Sequence, residues 1–330
     1  MATVATAASA LSVRQLHYLV VLAQTLNFTR AAQRCFVTQS SLSAGIQELE
    51  RVLGATLFER DRQSVRLTPL GKDMVARAQA LLSQVYDFVQ AAATAATPLE
   101  GVVTLGAIPT IAPFLLPRLL RRMRREFPGL TTLLREAQTQ ELLQAVEAGD
   151  VDFAIIALPM PLGRLLHIPM FTEELWLIAA EDDPLSRLAM PSMSQLDMQR
   201  LLLLSEGHCL RDHTLQACQS GRRGRRREPS AIEASSLPTL VQMVEAGLGV
   251  ALLPEMAVKA GFLVGTRVRA RPIAVPAPHR QIALVARPST TRMQLLERIC
   301  ELAAPSAGPP GVAGARRRRG SDPTQARNQA

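Results

Sequence analysis

The stretch FTRAAQRCFVTQSSLSAGIQELERVLGATLFERDRQSVRLTPLG, residues 28–71, carries the densest structural signal in the chain. Asn27 can cap a helix in which Ala31 and Ala32 are small enough for close packing. Thr38 can cap a second, whose Leu42, Ile46, Leu49 and Leu53 recur at steps of 4, 3 and 4 until Gly54 stops it. Ser40, Ser43 and Gln47 lie on an adjoining face of that helix, with Gln39 in its first turn. Such side chains at a helix N-terminus suit a DNA major groove. Glutamine can take the N6/N7 edge of adenine, and the helix end itself favours phosphate. Leu57–Arg60 and Ser64–Leu67 read as a two-stranded wing with Arg60 and Arg62 at its tip, placed for a phosphate backbone. Spacing alone leaves an ordinary solvated helical hairpin open beside the DNA reader.

Upstream, Leu16, Leu19, Val20, Ala23 and Leu26 fall at helical spacing. Downstream, Thr68 to Thr97 reads as one long helix. Its Leu70, Met74, Ala78, Leu81, Val85, Phe88 and Ala92 form a seam suited to a partner helix. The alternative is packing against the chain's own domains, but a reader of two-fold DNA sites works as a dimer. Pro98 and Gly101 mark the end of this helix.

Residues 28–71 closely resemble the winged helix-turn-helix of LysR-type transcriptional regulators. The family's F-T-R-A-A, then v-s-Q, S-x-x-I-x-x-L-E, L-G-x-x-L-F-x-R and L-T-x-x-G are matched almost throughout. The resemblance implies DNA contacts at Arg30, Gln39 and Ser43, and wing contacts at Arg60 and Arg62. Ser40 stands where the family often has proline. It further implies promoter double-stranded DNA as partner, RNA polymerase as the machinery acted on, a homodimer through the long helix and, as a family expectation, a homotetramer.

With 330 residues, the chain has room for two or three domains, and its 48% apolar content can fill real cores. Basic residues number 37 and acidic ones 28, but the excess is local. Segments 219–229 and 305–330 each hold five arginines and one acid, and 11–72 carries eight basic residues against four acidic. Local positive charge points to an anionic partner for those segments. Arginine richness is also a habit of composition here, with 35 Arg to two Lys. No apolar run approaches the ~18 residues of a membrane span, and Met1–Ala10 makes a poor signal peptide. A cytoplasmic protein without disulfide scaffolding is the expectation.

Beyond the long helix, Val102–Ala107, Leu130–Arg135 and Phe153–Ala157 read as strands, and 112–127 and 139–148 as helices. This alternation implies a parallel sheet in an α/β lobe, with any site at the carboxyl ends of strands, where Thr110 and Thr139 fall. A second lobe begins near Glu174, and Gln281–Ala286 with helix 290–303 returns to the first. The predicted fold class is therefore α/β behind a winged helix-turn-helix. It divides into a DNA-binding domain (11–68), a linker helix (69–97) and a two-lobed regulatory domain (98–304). Lobe I takes 98–173 and 279–304, and lobe II takes 174–278. This arrangement resembles periplasmic solute-binding proteins and is the effector half of LysR-type regulators. The tail 305–330 is too poor in large apolar residues to pack.

The segment GHCLRDH, 207–213, is followed by Cys218, nine residues after Cys209. Arg211 and the flanking His208 and His213 could lower a thiol pKa, yet buried cysteines are commonly inert. Composition leaves both readings open. GHCLRD with that second cysteine, GAIPTIAPFLLP at 106–117 and EAQTQELL at 136–143 resemble the hydrogen-peroxide-responsive members of the LysR family, over roughly residues 12–303. The resemblance implies that Cys209 is the peroxidatic thiol and Cys218 the resolving one. It implies a peroxide pocket of Thr110, Thr139, His208, Arg211 and Asp212, hydrogen peroxide as signal, and a glutaredoxin- or thioredoxin-type reductant. The stretch 219–232 departs from it by being longer and more basic. If 209–218 is helical, nine residues at ~1.5 Å hold the two Cα atoms about 13–14 Å apart, too far for a disulfide without unwinding. Regulation by a metabolite between the lobes and a thiol peroxidase are the competing functions. The second leaves the DNA reader unexplained. Cys35, Cys300 and Trp176 read as packing residues. His17, His167 and His279 lack a second ligand at metal spacing, so no metal or cofactor is expected.

Overall fold

The computed structural model describes residues 8–60, 64–94, 99–220 and 232–304. At its N-terminal end three helices pack together: α1 (Val13–Thr25), α2 (Phe28–Arg34) and α3 (Gln39–Leu53). Each begins at the kind of residue that can satisfy free amides. Ser12 accepts from the Gln15 amide, Asn27 from Arg30 and Thr38 from Ser41, contacts each worth about 1 kcal/mol. Gly54 ends α3 at φ 63°, a left-handed turn that glycine takes without strain. Leu42, Ile46 and Leu49 bury the inner face of α3 against Leu16, Leu19 and Leu22 of α1 and the small Ala31 and Ala32 of α2. The wing follows as β1 (Phe58–Arg60) and β2 (Val65–Leu67), antiparallel. Glu50 holds its first strand by accepting the amides of Leu57 and Phe58 at 2.8 and 3.1 Å.

The long helix α4 (Pro69–Thr94) starts where Thr68 accepts the Gly71 amide at 2.8 Å. Ala78 of its apolar seam is buried on the reader, whereas Leu81, Val85 and Phe88 are exposed. The expected end of this helix, through Thr97, lies outside the described residues. Near its C-terminal end α4 is tied to the next domain. Asp87 accepts from Arg287 Nε at 3.0 Å and from Ser289, and Tyr86 donates to Asp152 at 3.1 Å. Arg287 also lies over the Tyr86 ring, 5.1 Å from its centre. Burial and the Asp152 carboxylate push the Tyr86 hydroxyl up to about 12.

The regulatory half opens with parallel strands β3 (Gly101–Ala107), β4 (Leu130–Glu136) and β5 (Phe153–Leu158). Helices α5 (Ala112–Glu126) and α6 (Thr139–Ala148) connect them. A 15-residue strand, β6 (Leu166–Ala180), then serves both lobes. Its residues 166–174 pair with β11 (His279–Ala286), which returns beside β5. From Leu175 onward it pairs instead with β9 (Ala251–Pro254) and β10 (Val268–Arg271). Partners change between Glu174 and Leu175, where the chain crosses into the second core. That second core adds a parallel ribbon of β7 (Leu203–Leu204) and β8 (Glu233–Ala234), helix α7 (Cys209–Ser220), α8 (Leu237–Glu245) and the short α9 (Glu255–Lys259). The final helix, α10 (Met293–Ala303), is three residues shorter at its start than 290–303 and packs on the first core. Trp176, expected in the core, is half-buried instead. The segments 221–231 and 305–330, which hold most of the expected arginine-rich stretch and the tail, lie outside the described residues.

Candidate functional sites: a DNA reader and a buried thiol crevice

In the reader, Arg30, Gln39, Ser40 and Gln47 are exposed and Ser43 is half-buried, so the outer face of α3 and its first turn are open. Arg60 closes β1, and Arg62 lies outside the described residues. Gln39→Ala is expected to weaken discrimination between specific and random duplexes by about 1–3 kcal/mol, the worth of a bidentate base contact. Arg60→Ala is instead expected to lower affinity for every duplex and to flatten its salt dependence. Competition binding at two salt concentrations measures both. Equal losses on both duplexes for Gln39→Ala would count against α3 as the base reader.

The second site is built at the carboxyl ends of β3 and β4. Thr110 follows β3, Thr139 opens α6, and Cys209 opens α7. These three, with His208, Gln138 and Gly207, line one crevice. Gly207 adopts φ 91°, a left-handed backbone that glycine takes without strain just before α7 starts. The crevice leaves no room for even a free water molecule.

Cys209 is 3% exposed. On balance its thiol is held above the ordinary cysteine range: burial, the largest cause, and Asp212 raise it, while Arg280, the Thr139 hydroxyl and the Ala157 backbone pull it part of the way back. Its place at a helix N-terminus also favours the thiolate. Thr139 Oγ1 is buried and has no other hydrogen-bond partner of normal geometry among the described residues. Burial depresses the pKa of both His208 and His213, so neither imidazole supplies the positive charge that their flanking positions suggest.

That charge comes from a residue the sequence reading missed. Arg280 of β11 is 1% exposed and pairs with Glu173 at 2.7 Å. It also donates to Thr110 Oγ1 at 2.8 Å and to the Thr110 carbonyl at 3.1 Å. Its one sequence signal is a charge next to the apolar run IALVA of β11, matched by Glu173 at a buried position of β6. Arg211, expected in the pocket, is turned elsewhere. It pairs with Glu233 at 2.5 Å and donates to the Leu204 carbonyl, pinning the start of α7 to the β7–β8 ribbon. Asp212 is exposed and does not line the crevice, acting on Cys209 only through its charge.

All four cysteines are free thiols. Cys209 packs in the first core and Cys218 in the second, with the intact helix α7 between them. Cys35 caps the end of α2 and Cys300 packs beside the first core, the latter pushed up to about 11 by burial and by Glu297 and Glu301. No cluster of His, Cys, Asp and Glu among the described residues could hold a metal ion. None of the described helices is long and apolar enough to cross a membrane.

Known proteins align with both halves. The model of the bacterial regulatory helix-turn-helix protein, lysR family, matches residues 13–72, and that of the LysR substrate binding domain matches 96–307. The HTH-type transcriptional regulator EstR of Acinetobacter baylyi is 46% identical over 84% of this chain and 91% of its own. The hydrogen peroxide-inducible genes activator of Haemophilus influenzae is 36% identical over 88% of this chain and 95% of its own. A full-length OxyR variant from Pseudomonas aeruginosa superposes with a TM-score of 0.71 at 36% identity, covering 89% of this chain and 94% of that one. With family models matching residues 13–72 and 96–307, the chain belongs to the LysR family and is a DNA-binding transcriptional regulator, not an enzyme.

Proposed function

We propose that this regulator senses hydrogen peroxide through reversible formation of a Cys209–Cys218 disulfide and controls antioxidant-defence promoters. The observation that carries this reading is the placement of the two thiols. They sit near opposite ends of one helix and in different cores, with Cys209 in a crevice shared with Thr139 and with Thr110, which Arg280 holds. In the first step the Cys209 sulfur attacks one peroxide oxygen and the O–O bond breaks. The sulfur leaves as sulfenic acid, and the other oxygen takes up the thiol proton and departs as water. Thr110, Thr139 and His208 line the place where this happens. Peroxide needs far less opening of the crevice than a metabolite does. The Cys218 thiol then displaces water from the sulfenic acid, giving the disulfide. Overall, two thiols and one peroxide yield one disulfide and two waters.

Helix geometry makes the second step a conformational switch. About 13–14 Å of helix separates the two Cα atoms, and a disulfide tolerates only ~4.4–6.8 Å, so residues 210–217 unwind. Unwinding pulls Cys209 or Cys218 from its core and releases the Arg211 anchor. A local chemical event thereby selects between two packings of the lobes. A glutaredoxin- or thioredoxin-type dithiol reverses the bond. The exposed seam of α4 pairs with a second copy, giving a homodimer and by family habit a homotetramer that presents two readers to promoter DNA and RNA polymerase. Action in the cytoplasm goes with this reading.

A second reading has one observation in its favour. The greater identity is to EstR, whose name carries no mention of peroxide. In that case a small metabolite parts the lobes and the cysteines are incidental. Free-thiol counting and peptide mapping after a micromolar peroxide pulse, run alongside promoter binding, separate the two. The peroxide reading expects loss of two thiols, a Cys209–Cys218 peptide and altered DNA binding. It also expects Cys218→Ser to accumulate sulfenic acid at Cys209, while Cys35→Ser and Cys300→Ser respond as wild type. Altered DNA binding without that linked peptide defeats the disulfide mechanism.

A further inference from the structure

Phe36 sits in the turn between α2 and the reading helix α3. Its amide donates to the Gln33 carbonyl at 3.2 Å and the Val37 amide to the Ala32 carbonyl at 3.0 Å. This pair of bonds closes a helix by putting the residue just past the cap into the left-handed region, and Phe36 has φ 54°. Glycine or asparagine ordinarily takes that place, because a side chain is strained there. Here the residue is aromatic, and it is 95% exposed. Val37 beside it packs on the reader's core, so the phenyl ring is not what anchors the turn. The free fold bears backbone strain and an uncovered apolar ring, and gains no buried contact from them. Strain without a return inside the fold points to a role in binding.

The location says what is bound. Two residues further on, Thr38 caps α3, and the exposed Gln39 and Ser40 of the reading helix follow at once. Exposed Arg34 and Arg30 lie on the helix before it. The ring is therefore continuous with the surface that meets DNA. We propose that Phe36 is a DNA-contacting residue of this regulator, laying its ring against an apolar part of the duplex beside the bases that Gln39 reaches. Duplex DNA offers two such surfaces, the thymine C5-methyl group and the deoxyribose edge.

The test uses the full-length protein and a duplex enriched by the wild-type protein from a random library. Phe36→Gly and Phe36→Asn both fit a left-handed backbone. Each is expected to bind that duplex about tenfold more weakly, a difference of ~1.4 kcal/mol, while melting at the wild-type temperature or above it. Uracil in place of thymine identifies the surface touched. If the methyl is the contact, wild-type binding falls to the level of the variants. If the deoxyribose is, the tenfold gap persists. Either result upholds the contact. Variants that bind within twofold of wild type, or that lose affinity together with melting temperature, overturn it.

Discussion

Arg280→Met is expected to lower the unfolding free energy by about 3–5 kcal/mol and to slow oxidation of Cys209 by roughly tenfold. The first effect follows from burial. Glu173 and Arg280 are 3% and 0% exposed in their side chains, so removing the cation leaves a carboxylate uncompensated away from water. Breaking a buried pair from one side costs about that much. The second follows from electrostatics. Arg280 is the first of the groups that lower the Cys209 pKa, so its loss pushes the thiol further up and shrinks the reactive thiolate at neutral pH. Each tenfold corresponds to about 1.4 kcal/mol of lost thiolate stabilisation. Glu173→Gln separates the two effects. It destabilises the fold by the same logic, yet leaves Arg280 un-neutralised beside the thiol, so oxidation should become faster. Urea unfolding of the reduced protein and a thiol-trapping time course measure both. An Arg280→Met protein that oxidises at the wild-type rate would remove Arg280 from the chemistry.

Asp87→Ala should also cost about 3–5 kcal/mol, at the other end of the regulatory domain. Arg287 is 5% exposed and is held by Asp87, by the Val146 carbonyl at 2.8 Å and by the Val151 carbonyl at 3.1 Å. Asp152, the next carboxylate, is 4.0 Å away and already accepts the Thr104 amide. It compensates Arg287 only in part. Ser289→Ala removes a neutral donor to the same carboxylate and should cost nearer 1 kcal/mol. Because Asp87 belongs to α4, this cluster fastens that helix to the first core, against which Cys209 packs. A loss below about 1 kcal/mol for Asp87→Ala, the range of exposed ion pairs, would mean that the cluster is not what fastens them.

Much of the reader was legible in the chain because its rules are local. Asn27, Thr38 and Gly54 act on amides and carbonyls within a few residues, and the spacing of Leu42, Ile46 and Leu49 needs only the helical period. The alternating strands and helices of the regulatory half were legible for the same reason. The run LWLIAA at 175–180 is apolar throughout, and it is there that β6 changes partners. The GHCLRD segment marked Cys209 and Cys218 through resemblance.

Which cation acts on Cys209 was decided only in three dimensions. Arg211 is two residues away in sequence, yet its side chain is taken by Glu233, 22 positions on. Arg280 reaches the site from a strand whose partners Glu173 and Thr110 lie 107 and 170 residues away. The same holds for the histidines, whose charge is removed by burial between elements that no local pattern brings together, and for Asp87, paired with Arg287 across 200 residues. Caps and periodicity depend on neighbours along the chain. The field at a thiol depends on whatever charge the packed sheet leaves nearest to it.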